Sequence, residues 1–179
     1  VGVMWGDGAE VPLSALPDLQ YIGVDFYPDE RDPKLHQGGG AYTLVMSEAR
    51  LTAARLRLQS FGRRAQLLWA NTSDVVPWIA DSSIDYIFID ADHAYEAVMP
   101  ELRAWIPKLR PGGIIAGHDY HMLFRGVITA VHEVFLEYPP ADGILHLSPD
   151  SVFFWQPHQP QPKPGAAACD GQGGTGVST

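Results

Sequence analysis

Five side chains able to move protons or grip ligands stand at the ends of two apolar runs. Asp90, Asp92 and His93 follow Ile84–Ile89, and His118 and Asp119 follow Ile114–Gly117. Imidazoles exchange protons near neutral pH, while carboxylates accept hydrogen bonds and hold hard cations. Between the runs, Val98, Leu102, Trp105, Ile106 and Leu109 recur at helical spacing. The unit therefore reads as strand, crossover helix and parallel strand. Parallel strands bring their carboxyl ends to one edge of the sheet, where open α/β folds bind ligands. Asp90, Asp92, His93, His118 and Asp119 are expected to converge there, with the rest of the chain as support.

The supporting elements can be read in order. Gly2-Val3-Met4-Trp5-Gly6-Asp7-Gly8 is a glycine-spaced turn, with Pro12 near the start of a short helix. Such a turn lets backbone approach a ligand closely, and it also suits an ordinary loop. The strand Gln20–Tyr27 carries Asp25 near its end, placed to accept bonds from ribose hydroxyls or to cap a turn. Turn and acid together favour a nucleoside-type cofactor. A third strand, Ala65–Ala70, runs into Asn71, which either reads an adenine edge or forms a turn. Ser73 or Asp74 is the expected cap of the short helix through Trp78. Longer helices are expected over Tyr42–Ser60, Tyr95–Leu109 and Arg125–Tyr138.

Ser82–Asp90 reads as a central strand buried on both faces. Gly112-Gly113 breaks the chain before Ile114–Gly117, and two short strands near Ile144–Leu147 and Val152–Trp155 suggest an antiparallel hairpin at a sheet edge. Polar, glycine-rich Pro28–Gly40 reads as a mobile loop over the site. The fold expected is a Rossmann-like, doubly wound α/β domain over residues 1–156. Its sheet is mostly parallel with an antiparallel C-terminal hairpin. Residues 157–179, rich in proline and glycine, form a disordered tail.

Composition excludes several functions. At 179 residues, 46% hydrophobic and 18% charged, the chain suits one domain with a sizeable core. A net charge of −9 argues against nucleic acid and anionic membranes as partners. Arg50, Arg55, Arg57, Arg63 and Arg64 read as a solvated helix face. A lone cysteine, Cys169, excludes an internal disulfide and a cysteine zinc cluster. No run spans a membrane and no signal peptide is visible, so the default compartment is cytoplasmic.

These residues resemble a known family. Phe88-Ile89-Asp90-Ala91-Asp92-His93-Ala94-Tyr95, Leu109-Arg110-Pro111-Gly112-Gly113 and Gly117-His118-Asp119-Tyr120 are similar to class I S-adenosylmethionine-dependent methyltransferases. The branch is that of methyltransferase domain 24, near the macrolide-sugar and catechol-type O-methyltransferases, and the resemblance covers Val1–Trp155. It implies methyl transfer to a hydroxyl of a small-molecule acceptor. Gly2, Gly6, Asp7 and Gly8 would pack on the cofactor's methionine part, Asp25 would hold its ribose, Asn71 would touch the adenine amino group, and Asp90 would border the cofactor. Family members usually carry Asp where this chain has Asn71, whose carbonyl can still accept that bond. Metal-dependent members would place magnesium or another divalent cation on Asp90, His118 and Asp119. Histidine replaces an acid at 118. Adjacent strand residues point to opposite faces, so one of the pair reaches the site. His93, three residues after Asp90, matches a general base in a D-x-x-H arrangement, with Asp92 as a helix cap or as the partner orienting it.

The same comparison implies that a first strand ahead of Gly2 and N-terminal lid helices are missing, something upstream of Val1 having been removed. A non-catalytic module of this fold therefore stays open as an alternative. So does a nicotinamide-dependent oxidoreductase, since a glycine turn and a ribose acid serve both cofactors. A homo-oligomer also stays open.

Overall fold

The computed structural model describes residues 1–26, 44–137 and 143–157. The expected loop at Pro28–Gly40 and all but the first residue of the expected tail lie outside them. Parallel pairing joins β1 (Tyr21–Asp25) to β2 (Ala65–Trp69), placing Asp25 opposite Trp69. A second group has the order β3-β4-β6-β5, formed by Ile84–Ile89, Leu109–Gly117, Phe153–Pro157 and Gly143–Leu147 respectively. Within it β3 and β4 are parallel, whereas β6 runs antiparallel to both β4 and β5. The C-terminal hairpin is thus antiparallel as expected, but β6 is internal and only β5 lies at the edge.

The first residues join the two groups. The Val1 amino group donates to Phe88 O at 2.6 Å, and Val1 O accepts from Asp90 N at 3.0 Å. On the other side Gly2 N donates to Val24 O at 2.9 Å. Residue 2 must be glycine, because its φ is +78° and a Cβ there would lie 1.8 Å from the Asp90 carbonyl oxygen.

Among the described residues five α-helices accompany the strands: α1 (Asp7–Ala15), α2 (Leu44–Leu58), α3 (Thr72–Val75), α4 (Tyr95–Trp105) and α5 (Arg125–His132). The apolar stripes of α4 and α5 pack against the four-stranded group, burying Val98, Leu102, Trp105, Val127, Val131, Ile115 and Phe153. A smaller cluster of Ala9, Leu13 and Leu58 joins α1 to α2. The result is the Rossmann-like α/β architecture expected, with helices over a mixed but mostly parallel sheet. Among the described residues no helix is long and apolar enough to cross a membrane.

Several local expectations change. Pro12 lies inside α1 rather than near its start, and Gly6 occupies the N-cap position. Asn71, not Ser73 or Asp74, occupies the N-cap position of α3. Gly112-Gly113 does not precede a strand but forms an irregularity within β4, whose partners step from Ile84↔Leu109 to Tyr86↔Ile114. Burial of β3 is confined to its second half, since Asp85 and Tyr86 are exposed. Helix α4 ends at Trp105, and Ile106–Lys108 turns as a tighter helix because Pro107 withholds an amide.

The basic segment is not a simple solvated face. Arg50 is buried with its guanidinium 5.6 Å from the Trp5 ring centroid, while Arg57 pairs with Asp7 and Glu10 and donates to Trp5 O. Arg64 donates to Leu13 O and Leu16 O. These side chains bind α2 and the turn after it to α1.

Candidate functional site

The carboxyl ends of β3 and β4 bring their polar residues together as parallel pairing requires. A small depression there is bordered by Asp90, Asp92, His93, His118, Asp119 and Phe153. His93 Nε2 lies 2.7 Å from Asp119 Oδ2, and His118 Nδ1 lies 3.2 Å from Asp119 Oδ1. One ligand atom each from Asp90, His93 and Asp119 fall within 4.8 Å of one another. The geometry therefore groups His93, rather than His118, with the two carboxylates.

Each of these side chains is placed by an identifiable local cause. Asp92 Oδ1 accepts from Ala94 N at 2.8 Å, closing the turn ahead of α4 on which His93 sits. Asp92 is therefore a turn-forming residue, and the partner of His93 is Asp119. On its ring face His93 stacks against Phe124, centroids 4.3 Å apart. Gly126 lets α5 come this close, since a Cβ there would lie 2.4 Å from His93 O. Phe124 was not anticipated from the sequence, although an aromatic residue just ahead of α5 was a visible signal. Asp90 is exposed by surface area, yet the strand end around it is crowded. Desolvation pushes its carboxyl above the ordinary aspartate range, His118 opposes the shift and Asp119 adds to it.

A second set lies at the ends of β1 and β2. Asp25 Oδ2 accepts from Val3 N at 2.8 Å and Met4 N at 2.7 Å, so this acid shapes the glycine turn directly. Burial first, and then the Asp25 charge, push the Tyr21 hydroxyl up to about 12. Asn71 is exposed and makes no side-chain cap bond, and Ala70 N donates to Asp25 O at 3.1 Å. Gly8, in the first turn of α1, has open space where a Cβ would stand. Asp7 is engaged by Arg57, which directs that carboxylate toward α2.

A family model described as a methyltransferase domain matches residues 1–120, more than half of the chain. The chain belongs to that family, within the class I S-adenosylmethionine-dependent methyltransferases that its motifs resemble. Among curated proteins it is 26% identical over 133 residues to a Streptomyces olivaceus 8-demethyl-8-(2,3-dimethoxy-alpha-L-rhamnosyl)-tetracenomycin-C 4'-O-methyltransferase, covering 74% of this chain and 49% of that one. The chain spans about half or less of the length of the curated relatives it matches. The fold is shared with Podospora anserina methyltransferase PaMTH1, solved with S-adenosylhomocysteine, at a TM-score of 0.63 and 14% identity, covering 88% of this chain and 70% of that one. It is also shared with the Streptomyces achromogenes O-methyltransferase TomG, solved with S-adenosylmethionine, at a TM-score of 0.57 and 15% identity, covering 89% and 71%.

Proposed function

We propose that this domain transfers a methyl group from S-adenosylmethionine to a hydroxyl of a small molecule, with His93 as general base. The observation that carries the reading is the His93–Asp119 pair at 2.7 Å, set at the strand ends that also present Asp90. A hydroxyl is a weak nucleophile until its proton leaves, and an imidazole is suited to take that proton near neutral pH. With Nε2–H donating to Asp119, the lone pair of Nδ1 is the one offered to the acceptor. The Asp119 charge stabilises the imidazolium that results, and Phe124 limits rotation of the ring.

The residues near Asp25 fit the cofactor. Asp25 has a carboxylate at the end of β1, Asn71 an amide not used as a helix cap, and Gly8 an open backbone face. When bound, S-adenosylmethionine supplies an electrophilic methyl on a sulfonium. Asp25 then holds the ribose hydroxyls, Asn71 accepts from the adenine amino group, and the Gly2–Gly8 turn packs on the methionine part.

Two carboxylates and an imidazole within 4.8 Å also fit a divalent cation. Asp90 and Asp119, the two carboxylates of that group, are the residues that would hold magnesium or a similar ion, which leaves His93 as the base. Such an ion lowers the pKa of a hydroxyl bound beside it.

The reading is tested by calorimetric titration with S-adenosylmethionine and with NAD, each with and without magnesium. Saturable binding of S-adenosylmethionine alone is expected, and a magnesium-dependent signal lost in Asp90→Asn would assign the cation to this site. Binding of NAD instead would overturn the methyltransferase reading in favour of an oxidoreductase, and binding of neither by a folded chain would favour a non-catalytic module.

A further inference from the structure

We propose that Thr72 is the positioning residue of the adenine end of the site, clamped there from α4 by Trp105; this rests on the assignment of Asn71 above. Trp105 Nε1 donates to Thr72 Oγ1 at 2.8 Å. Thr72 is also among the groups that oppose the upward shift of the buried Glu101 carboxyl. Because an indole N–H can only donate, this bond is directional: indole N–H to threonine oxygen.

Glu101 and Trp105 stand four residues apart, on one face of α4, and are exposed by only 7% and 5%. A buried carboxylate is unfavourable unless its bonds are made, and Oε1 of Glu101 has no partner among the described residues. Trp105 fixes Thr72, the first residue of α3, through the bond to its hydroxyl.

Asn71 precedes Thr72 directly. Upstream, its strand is tied to β1 by Ala70 N donating to Asp25 O at 3.1 Å. Downstream, Asn71 O accepts from Asp74 N at 3.0 Å, and Thr72 is held by the clamp. The backbone is thereby fixed on both sides while the Asn71 amide stays exposed, as a side chain that reads a ligand edge requires. The clamp therefore transmits selectivity for the adenine amino group without touching the cofactor.

The test measures a ratio. Dissociation constants would be determined for S-adenosylhomocysteine and for its analogue lacking the 6-amino group. The native chain is expected to prefer the former by about threefold to tenfold, the range of one hydrogen bond. Asn71→Ala should bring the ratio near one. Thr72→Val should do the same, while Thr72→Ser restores the preference. If Thr72→Val does not fold by circular dichroism, Trp105→Phe, which deletes only the indole donor, is expected to lower the ratio. A clamp variant that weakens both ligands equally and keeps the ratio would overturn the proposal, as would a native ratio of one. Failure of the native chain to bind S-adenosylhomocysteine would instead remove the cofactor reading on which the proposal stands.

Discussion

His93 Nε2 and Asp119 Oδ2 stand 2.7 Å apart although 26 residues separate them. The contact depends on an unusual backbone conformation, since Asp119 has φ +59°, in the left-handed region that aspartate tolerates better than most residues. His121 N donates to Asp119 O at 2.7 Å and Tyr120 N to Ser151 O at 2.9 Å, which holds the chain in that turn. A strand that simply continued would send residues 118 and 119 to opposite faces. The turn instead lets both Asp119 oxygens face imidazoles, Oδ2 toward His93 and Oδ1 toward His118.

Removing the proposed base should separate chemistry from binding. His93→Asn is expected to lower methyl transfer by about 10²–10⁴-fold while leaving S-adenosylhomocysteine affinity within about twofold. Asp119→Asn should fall less, because an amide oxygen still orients the ring but no longer offsets the imidazolium charge. Steady-state transfer of labelled methyl groups, paired with calorimetry, checks both. Full activity in His93→Asn would remove it as base.

Asp25 shapes the glycine turn and, on the proposal above, holds the ribose, and two substitutions can divide these roles. Its Oδ2 already holds the amides of Val3 and Met4, so Asp25→Ala should both loosen the turn and weaken the cofactor by about 1–3 kcal/mol. Asp25→Asn keeps an acceptor for the amides but loses the charge toward the ribose. It is expected to retain thermal stability while binding S-adenosylhomocysteine at least several-fold more weakly. Equal affinity in both variants and the native chain would exclude Asp25 from the cofactor site.

The convergence of Asp90, His93, His118 and Asp119 was legible because it follows from strand direction alone. Parallel pairing puts carboxyl ends together whatever the side chains do. What the sequence did not reveal were contacts set by close backbone approach. Phe124 meets His93 because Gly126 admits α5, and Asp119 reaches His93 through a single left-handed residue. Arginines at helical spacing look alike on paper, yet Arg50, Arg57 and Arg64 each find a partner on or near α1. Glu101 offered a faint signal: a carboxylate on the stripe of Val98 and Trp105, where helical periodicity puts core.

Arg64 should be a stability residue. Its guanidinium donates to the carbonyls of Leu13 and Leu16 at the end of α1, where helix carbonyls lack internal partners and a cation is favourable. Arg64→Met keeps an apolar stem beside Phe61 but strands the Leu13 carbonyl, while Leu16 O keeps its bond from Leu19 N. A loss of about 1.5–3 kcal/mol is expected from urea unfolding, the scale of hydrogen bonds to a charged group. Arg63→Ala, at a neighbouring exposed position, should change stability by less than about 0.5 kcal/mol. Equal effects at both positions would mean that the contacts of Arg64 contribute nothing.

The buried carboxylate of Glu101 predicts a pH-dependent difference with a definite sign. Desolvation raises its pKa, the Val1 ammonium and Thr72 partly oppose the shift, and Asp92 adds to it. The folded-state pKa therefore lies above the unfolded value, and the native chain pays an ionisation penalty that the unfolded chain does not. The group's favourable contribution is fully present below the unfolded pKa and is lost as pH rises through the folded one. Glu101→Gln cannot ionise and keeps nearly the same shape and volume. The variant and the native chain should melt together near pH 4, with the variant gaining as pH rises and the gap levelling off above the folded pKa. Thermal melts from pH 4 to pH 8 measure this directly. A gap of the opposite sign, with the native chain gaining as pH rises, would mean that attraction between Glu101 and the Val1 ammonium outweighs desolvation.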